Sequence, residues 1–470
     1  MLQTLRNAWK LPELRKRILY VLFILLIYRV GTVIPVPFVD ASTFDSQFGD
    51  TIFAYLNTLS GGALSTATLF ALGVSPYITA SIVIQLLTVA FPKLGELAKD
   101  GEIGKRRVET WTRFVTVMLA IVTGFGYYTL LKNNGMLVGA ADPANATDGS
   151  RGWILTAFVI VACYCAGASL VMWLAEKINE KGIGNGISII LFANIISTLP
   201  SFVIKLGNLI YLSFNSTDSK GKLIALSIIL AILLITALLA MVVFIIFVTG
   251  SERRIPVMYA KRVVGRKMYG GQNSTLPIKL NMSGVMPIIF ASSIVSLPAT
   301  ILTLCGITTT NGQTAHPNWY KFYQFTASDG WFYPIMLFIL IIAFAYFYIT
   351  ISFNPVEVSN NLQKNGGAIP GIRQGRPTAQ YISKVLSKIT LIGALFLGII
   401  AILPIACSPL IDWAVSSITG YGADTAVVSS YTSSFTFGGT SIIIVVGVAL
   451  ETARELEAQL TMRNYKGFLS

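Results

Sequence analysis

Ten stretches of this chain are apolar over roughly the length a helix needs to cross a bilayer, about 20 residues. They lie near residues 18–36, 75–91, 111–131, 153–175, 186–204, 223–248, 285–304, 332–353, 389–406 and 435–451. Residues 242–248 and 339–351 carry almost only hydrocarbon. The runs 75–91 and 186–204 intersperse Ser, Thr, Gln and Asn. Those two are expected to face other helices rather than lipid. Composition agrees with embedding. Only 12% of the 470 residues are charged and 54% are hydrophobic, whereas soluble domains are about 25% charged. A soluble enzyme, a disordered chain and a secreted disulfide scaffold are excluded, the last because only four cysteines are present.

The net charge of +14 would suggest nucleic acid in a soluble protein. Here its distribution is the informative part. Alternating the segments between runs, and counting Arg113 at the start of the third run with the segment before it, places 28 of the 35 Lys and Arg on one side and 6 on the other, with Arg29 inside the first run. By the positive-inside rule both termini are expected in the cytoplasm. Lys10, Arg15, Lys16 and Arg17 precede a run longer than a signal sequence has, with no small-residue cleavage motif after it, so the first span is expected to be retained.

The segments joining the runs are unequal. Two basic ones are long, residues 249–284 and 354–388. The first carries Arg253, Arg254, Lys261, Arg262, Arg266, Lys267 and Lys279 against the single acid Glu252. Within it residues 255–259 and 262–269 alternate as short strands do, and Gly270–Gly271 supplies a turn. The second is punctuated by Gly366–Gly367, Pro370–Gly371 and Gly375, marking turns around Lys364, Arg373 and Arg376. Topological bias alone accounts for basic residues in such places. It does not account for the length, since loops beyond about 15 residues are usually functional or disordered.

Residues 37–74 differ, having no Lys or Arg. Their end, 56–72, is too short and too polar to span. Gly61 and Gly62 each weaken a helix there by about 1 kcal/mol. A half-helix re-entering the membrane and a surface amphipathic helix fit this composition equally well. Ser75–Pro76 then opens the next helix. Ten spans divide into halves 1–215 and 216–470. Five spans per half force the second half to run inverted relative to the first.

Catalytic chemistry has little to stand on. The one histidine, His316, is expected in an outside loop. No phosphate-binding glycine loop sits in a strand–turn–helix context. Residues 182–186, GIGNG, read as a tight turn with close helix packing. No span carries a central carboxylate, where ion-coupled transporters usually keep one. Cofactor, metal and enzyme activity are therefore not expected. A passive conduit with basic docking platforms on one face fits better than a pump, with a substrate-specific secondary transporter as the alternative.

Six segments carry a resemblance. LSGGALSTATLFALGVSPYITASIVIQLL (59–87), KGIGNGIS (181–188), RRIPVMYAKRVVGRK (253–267), LPIKLNMSGVMPIIFASSI (276–294), IPGIRQGRPTAQYI (369–382) and FGGTSIIIVVG (437–447) closely resemble the SecY family of bacterial protein-conducting channels. The likeness runs in order from about Trp9 to Tyr465, with Pro256 a departure from the family pattern.

The resemblance implies an all-α polytopic protein of the bacterial plasma (inner) membrane. Ten helices in two inverted halves would surround an hourglass pore, with a re-entrant plug half-helix. Its waist would be Ile78, Ile82, Ile187, Leu191, Ile289 and Ile444. Two pairs among these are spaced i, i+4 and so face one way on their helices. The plug would be residues 56–72, including Leu59, Ser60, Gly61, Gly62, Ala63 and Leu64. A lateral gate would open between runs 75–91 with 111–131 and runs 285–304 with 332–353, its packing weakened by Gln85, Ser292 and Ser293. Arg254, Lys261, Arg262, Arg266, Lys267 and Arg373 would dock the SecA motor ATPase and the ribosome through its RNA. The small subunits SecE and SecG, signal peptides, nascent polypeptides and membrane lipid complete the implied partners.

Overall fold

The computed structural model describes residues 2–40, 57–137, 152–215, 220–259, 262–264, 267–269, 273–304, 317–326, 332–419 and 439–466. It opens with a short helix, α1 (Leu2–Lys10), and then α2 (Pro12–Gly31). After a turn-rich segment come α3 (Ser75–Ala90), α4 (Pro92–Lys99), α5 (Gly101–Asn133), α6 (Gly152–Lys181), α7 (Gly186–Asn215) and α8 (Lys220–Gly250). Four strands follow: β1 (Glu252–Tyr259), β2 (Arg262–Val264), β3 (Lys267–Tyr269) and β4 (Asn273–Lys279). The chain continues with α9 (Met286–Leu304), α10 (Pro317–Thr326), α11 (Phe332–Ser352), α12 (Pro355–Lys364), β5 (Gly367–Ala368), α13 (Arg376–Thr419) and α14 (Gly439–Lys466).

Each of the ten apolar runs overlaps a helix among the described residues. Among the described residues, Arg106–Asn133, Ile154–Lys181, Phe332–Lys364 and Arg376–Ala406 are long and apolar enough to cross a membrane. Ser75–Ala90, Gly186–Ser201, Ile235–Gly250 and Met286–Leu302 are apolar but shorter. In α2 and α14 the apolar stretch is continuous with charged turns, Arg15–Arg17 in one and Glu451–Glu455 in the other.

The fold is not purely helical. The expected strand 255–259 is β1, three residues longer at its start. The expected strand 262–269 is two strands, β2 and β3, paired antiparallel with Val264 opposite Lys267. The partner of β1 is β4, with Ile255 opposite Leu276. Side chains of β1 alternate, Ile255 and Val257 buried and Arg254, Pro256 and Met258 exposed. On its other side β1 takes β5 opposite Met258 and Tyr259 only. Pro256 therefore lies where β1 is still an edge on that side, a position that tolerates a missing N–H.

The main core gathers buried residues from α2, α3, α6, α7, α8, α9, α11, α13 and α14. α9 packs against α3, α5 and α11, and α7 packs against α8 and α14. The turn GIGNG caps α7: the Gly186 N–H donates to Asn179 Oδ1 at 2.7 Å and the Ile187 N–H to Asn185 Oδ1 at 3.1 Å. Gly184 has φ +81°, and a side chain at Gly186 would collide with the Ala175 carbonyl. The tight turn and the close helix approach are thus one feature.

Candidate functional site

Four helices bring the six waist candidates together. Ile78 and Ile82 on α3, Leu191 on α7, Ile289 on α9 and Ile444 on α14 are each at most 4% exposed. They belong to one contiguous apolar cluster, and Ile187 packs against it. Residues scattered over more than 360 positions of sequence thus share one apolar core. Such a core excludes water and ions without any fixed charge, because hydrating it is unfavourable. Aliphatic side chains also bond to nothing, so a chain entering it breaks no specific contact.

Leu59, Phe70 and Val74 join the same cluster, so residues 57–74 contribute to the core that also holds the waist candidates. The expectation of a half-helix over 56–72 is corrected here. Leu56 lies outside the described residues, only residues 57–60 are helical, and 61–74 are turns interrupted by a bridge from Thr68 to Pro35. The two glycines end the helix. The Gly62 N–H donates to Asn57 O and the Gly61 N–H to Thr58 O, the two bonds of a Schellman cap. The positive φ of +70° at Gly61 is what this cap requires, and Gly62 follows at φ +90°. Side chains hold the turns beyond. The Leu64 N–H donates to Ser60 Oγ, and the Ser65 N–H donates to Asn57 Oδ1. Thr68 Oγ1 donates to Ala63 O. Ala63 and Leu64 are buried.

Surrounding helices donate to backbone carbonyls of this segment. Asn194 Nδ2 on α7 reaches Leu59 O at 2.7 Å and the Tyr28 hydroxyl at 2.9 Å. Arg29 on α2 reaches Gly61 O at 3.4 Å and Ala193 O at 2.8 Å. Tyr127 on α5 donates to Leu64 O at 2.7 Å. Arg29 is therefore turned inward on residues 57–74 and α7 and not out toward the membrane interface. Reading the sequence singled out neither Asn194 nor Tyr127. The available signal was a polar residue within each apolar run, which is costly there unless it is used.

The seam between α3 with α5 and α9 with α11 is closed, α9 touching both α3 and α5. Its polar residues are satisfied within their own helices. Gln85 donates to Ser81 Oγ at 3.2 Å, and Ser292 and Ser293 both donate to Ile289 O. Such back-bonded serines leave little polar adhesion across the seam and tend to bend a helix. Phe290 and Phe344 meet edge to face at 6.0 Å on the α9–α11 side.

The two long basic segments form one platform. β5, from residues 354–388, pairs with β1, from residues 249–284. Beneath the sheet, Ile255 and Ile278 pack with Ile349 of α11, Ile369, and Ile382, Val385, Leu386 and Ile389 of α13. The sheet is thereby fixed to helices that continue into the apolar bundle. Arg373 is exposed at the tip of the following turn, which Thr378 Oγ1 closes by donating to Arg373 O at 2.7 Å. Arg254 is exposed but paired with Glu252, Nη2 to Oε1 at 2.7 Å. Arg262 and Lys267 lie on β2 and β3, while Lys261 and Arg266 lie outside the described residues, as do Gly270–Gly271 and His316.

Gly367 is the hinge point of this joint. A Cβ there would lie 3.1 Å from Tyr259 and 3.2 Å from Val257. Gly367→Val should overpack by about 1–3 kcal/mol and detach β5. Limited proteolysis is then expected to cut residues 365–375 faster than in the parent; equal cutting rates would mean that the joint does not hold the turn.

The SecY family model matches residues 68–453. The chain is 41% identical over 479 residues to the protein translocase subunit SecY of Streptomyces galbus, covering all of both chains. It is 40% identical over 478 residues to that of Mycobacterium bovis, again covering all of both. Its fold is similar to a solved protein conducting channel, with TM-score 0.60, 16% identity and coverage of 94% of this chain and 91% of that one. It is also similar to a Sec61 structure from the canine ribosome-channel complex, with TM-score 0.57, 15% identity and coverage of 94% and 91%. These matches do not support the secondary-transporter alternative. Matched from end to end by such relatives and over most of its length by the family model, the chain belongs to the SecY family.

Proposed function

We propose that this chain is the channel subunit of a bacterial protein translocase. It passes unfolded secretory polypeptides across the plasma membrane and releases hydrophobic segments sideways into lipid. The observation that carries the reading is that Ile78, Ile82, Leu191, Ile289 and Ile444, from four helices, are all buried in the one main core of the bundle, with Ile187 packed against it, in a chain of the SecY family. Those six residues are the waist. Residues 57–74 are the plug seated on it, and the seam of α3 and α5 with α9 and α11 is the lateral exit. The reaction is movement of a chain and not bond chemistry, so the site needs no nucleophile.

Both termini are cytoplasmic in this reading, and the halves 1–215 and 216–470 are the two sides of the clamp. The platform of β4, β1 and β5 faces the cytoplasm and receives the SecA motor or the ribosome. Arg373 leads the motor contact. Arg254, Lys261, Arg262, Arg266 and Lys267 meet acidic protein surface or RNA phosphate. Ribosome affinity should therefore fall as salt rises, as phosphate contacts do. SecE and SecG helices cover part of the exposed apolar surface, and signal peptides open the seam.

Deleting residues 60–68 tests the plug. Vesicles holding the purified channel complex should then leak halide well above the parent rate. A channel as tight as the parent would remove the plug role from this segment.

A further inference from the structure

Three helices donate to three backbone carbonyls within six residues of the plug: Asn194 of α7 to Leu59, Arg29 of α2 to Gly61, and Tyr127 of α5 to Leu64. The Schellman cap at Gly61–Gly62 ends the helix and leaves Leu59 O and Gly61 O without intrahelical donors; Leu64 O, in the turns beyond, accepts the Ala67 N–H as well as the Tyr127 hydroxyl. Asn194 and Tyr127 are buried and Arg29 is half-buried. Side chains this polar are disfavoured in apolar spans and are held there by specific partners. Arg29 bridges α7 and the plug, since its other nitrogen bonds Ala193 O at 2.8 Å. Asn194 spends both amide hydrogens on Tyr28 and Leu59.

All three donors lie on α2, α5 and α7, within residues 1–215. None lies on α9 or α11. Parting the seam between the two sets of helices would leave these bonds intact. These three hydrogen bonds are thus independent of the seam, whatever apolar packing the segment shares with it.

We infer that Arg29, Asn194 and Tyr127 form a latch that holds the plug closed and sets how strong a signal sequence must be to open the channel. This rests on the plug reading above. The latch residues are positioning residues: they act on the passing chain only through the plug. A polypeptide displaces the plug by breaking the latch, so strongly binding signal sequences open the channel and weak ones do not. The latch and the seam act in series, and each can be loosened alone.

The test uses the purified channel complex in vesicles and the same variants in cells. Tyr127→Phe and Asn194→Leu remove the donors with little change of shape. Arg29→Met removes the third, and Arg29→Lys keeps the charge and one donor. Each neutral donor lost should raise halide leak about fivefold, with a larger rise for the charged one. Combined variants should multiply. The ratio of export with a defective signal sequence to export with an intact one should rise in the same order, with Arg29→Lys closer to the parent than Arg29→Met. A purely structural role would lower the amount of channel and leave that ratio unmoved. If deletion of residues 60–68 leaks while all latch variants keep the parent's leak and ratio, the latch is overturned and the plug stands. If the deletion itself does not leak, the plug reading falls and the latch with it. Should Arg29→Met fail to accumulate, Tyr127→Phe and Asn194→Leu decide the matter.

Discussion

Arg373→Glu should abolish motor-driven export while leaving the protein in the membrane. Arg373 is exposed at the tip of the turn between β5 and α13, and its side chain supports no packing in the core clusters. The turn is instead shaped by the Ser359 hydroxyl donating to Gly375 O at 2.7 Å, Gln374 Nε2 donating to Gly367 O at 3.1 Å, and the Thr378 bond. These use the backbone at residues 367, 373 and 375, so changing the Arg373 side chain spares the scaffold. Reversal of charge turns an attraction into a repulsion at a contact that becomes desolvated on docking. Losses of about a hundredfold or more are ordinary for such pairs. Export of a secretory precursor, measured beside the membrane level of the variant, checks this. Arg373→Lys should recover part of the activity, since it restores charge without the planar fork. Normal export by Arg373→Glu would take this residue out of the motor contact.

Ile444→Asn should have the opposite sign, opening the channel to substrates that are normally refused. Ile444 is fully buried in the main apolar core, with Ile82, Leu191 and Ile289 as fellow members. An amide placed among them finds no partner and costs the closed state about 1–3 kcal/mol. In an open, hydrated waist the same amide is solvated and costs nothing. The closed-to-open balance should shift about tenfold toward open. Ile82→Asn should act alike from α3. The assay is export of precursors with defective signal sequences, with halide leak as the second readout. An unchanged substrate range in both variants would argue that these residues are ordinary core.

Local and periodic features were legible in the sequence. The apolar runs locate the helices, the alternation at 255–259 locates β1, and GIGNG gives the α6–α7 turn. Features that depend on distant partners were not. β5 is two residues long and has no pattern of its own; only its pairing with Met258 and Tyr259 makes the two basic segments one platform. Gly61–Gly62 reads as weakened helix, but whether it marks a cap or a mobile joint depends on hydrogen bonds to Asn57 and Thr58. Gln85, Ser292 and Ser293 read as cross-seam polarity, yet each is satisfied within its own helix. The waist residues show why family resemblance was needed: an isoleucine at i, i+4 spacing looks the same whether it faces lipid, core or pore. Arg29 stood out by its charge, whereas its role depends on Ala193 and Gly61, one of them 164 residues away.

The central claim is that a polypeptide passes through the cluster of Ile78, Ile82, Ile187, Leu191, Ile289 and Ile444. It is tested most directly by arresting a secretory chain midway and crosslinking it to single cysteines placed along the channel. Cysteines at 82, 191, 289 and 444 should all capture the arrested chain. Phe158, 71% exposed on α6, is the control and should capture none. Capture at 158 with none at the four buried positions would contradict the account.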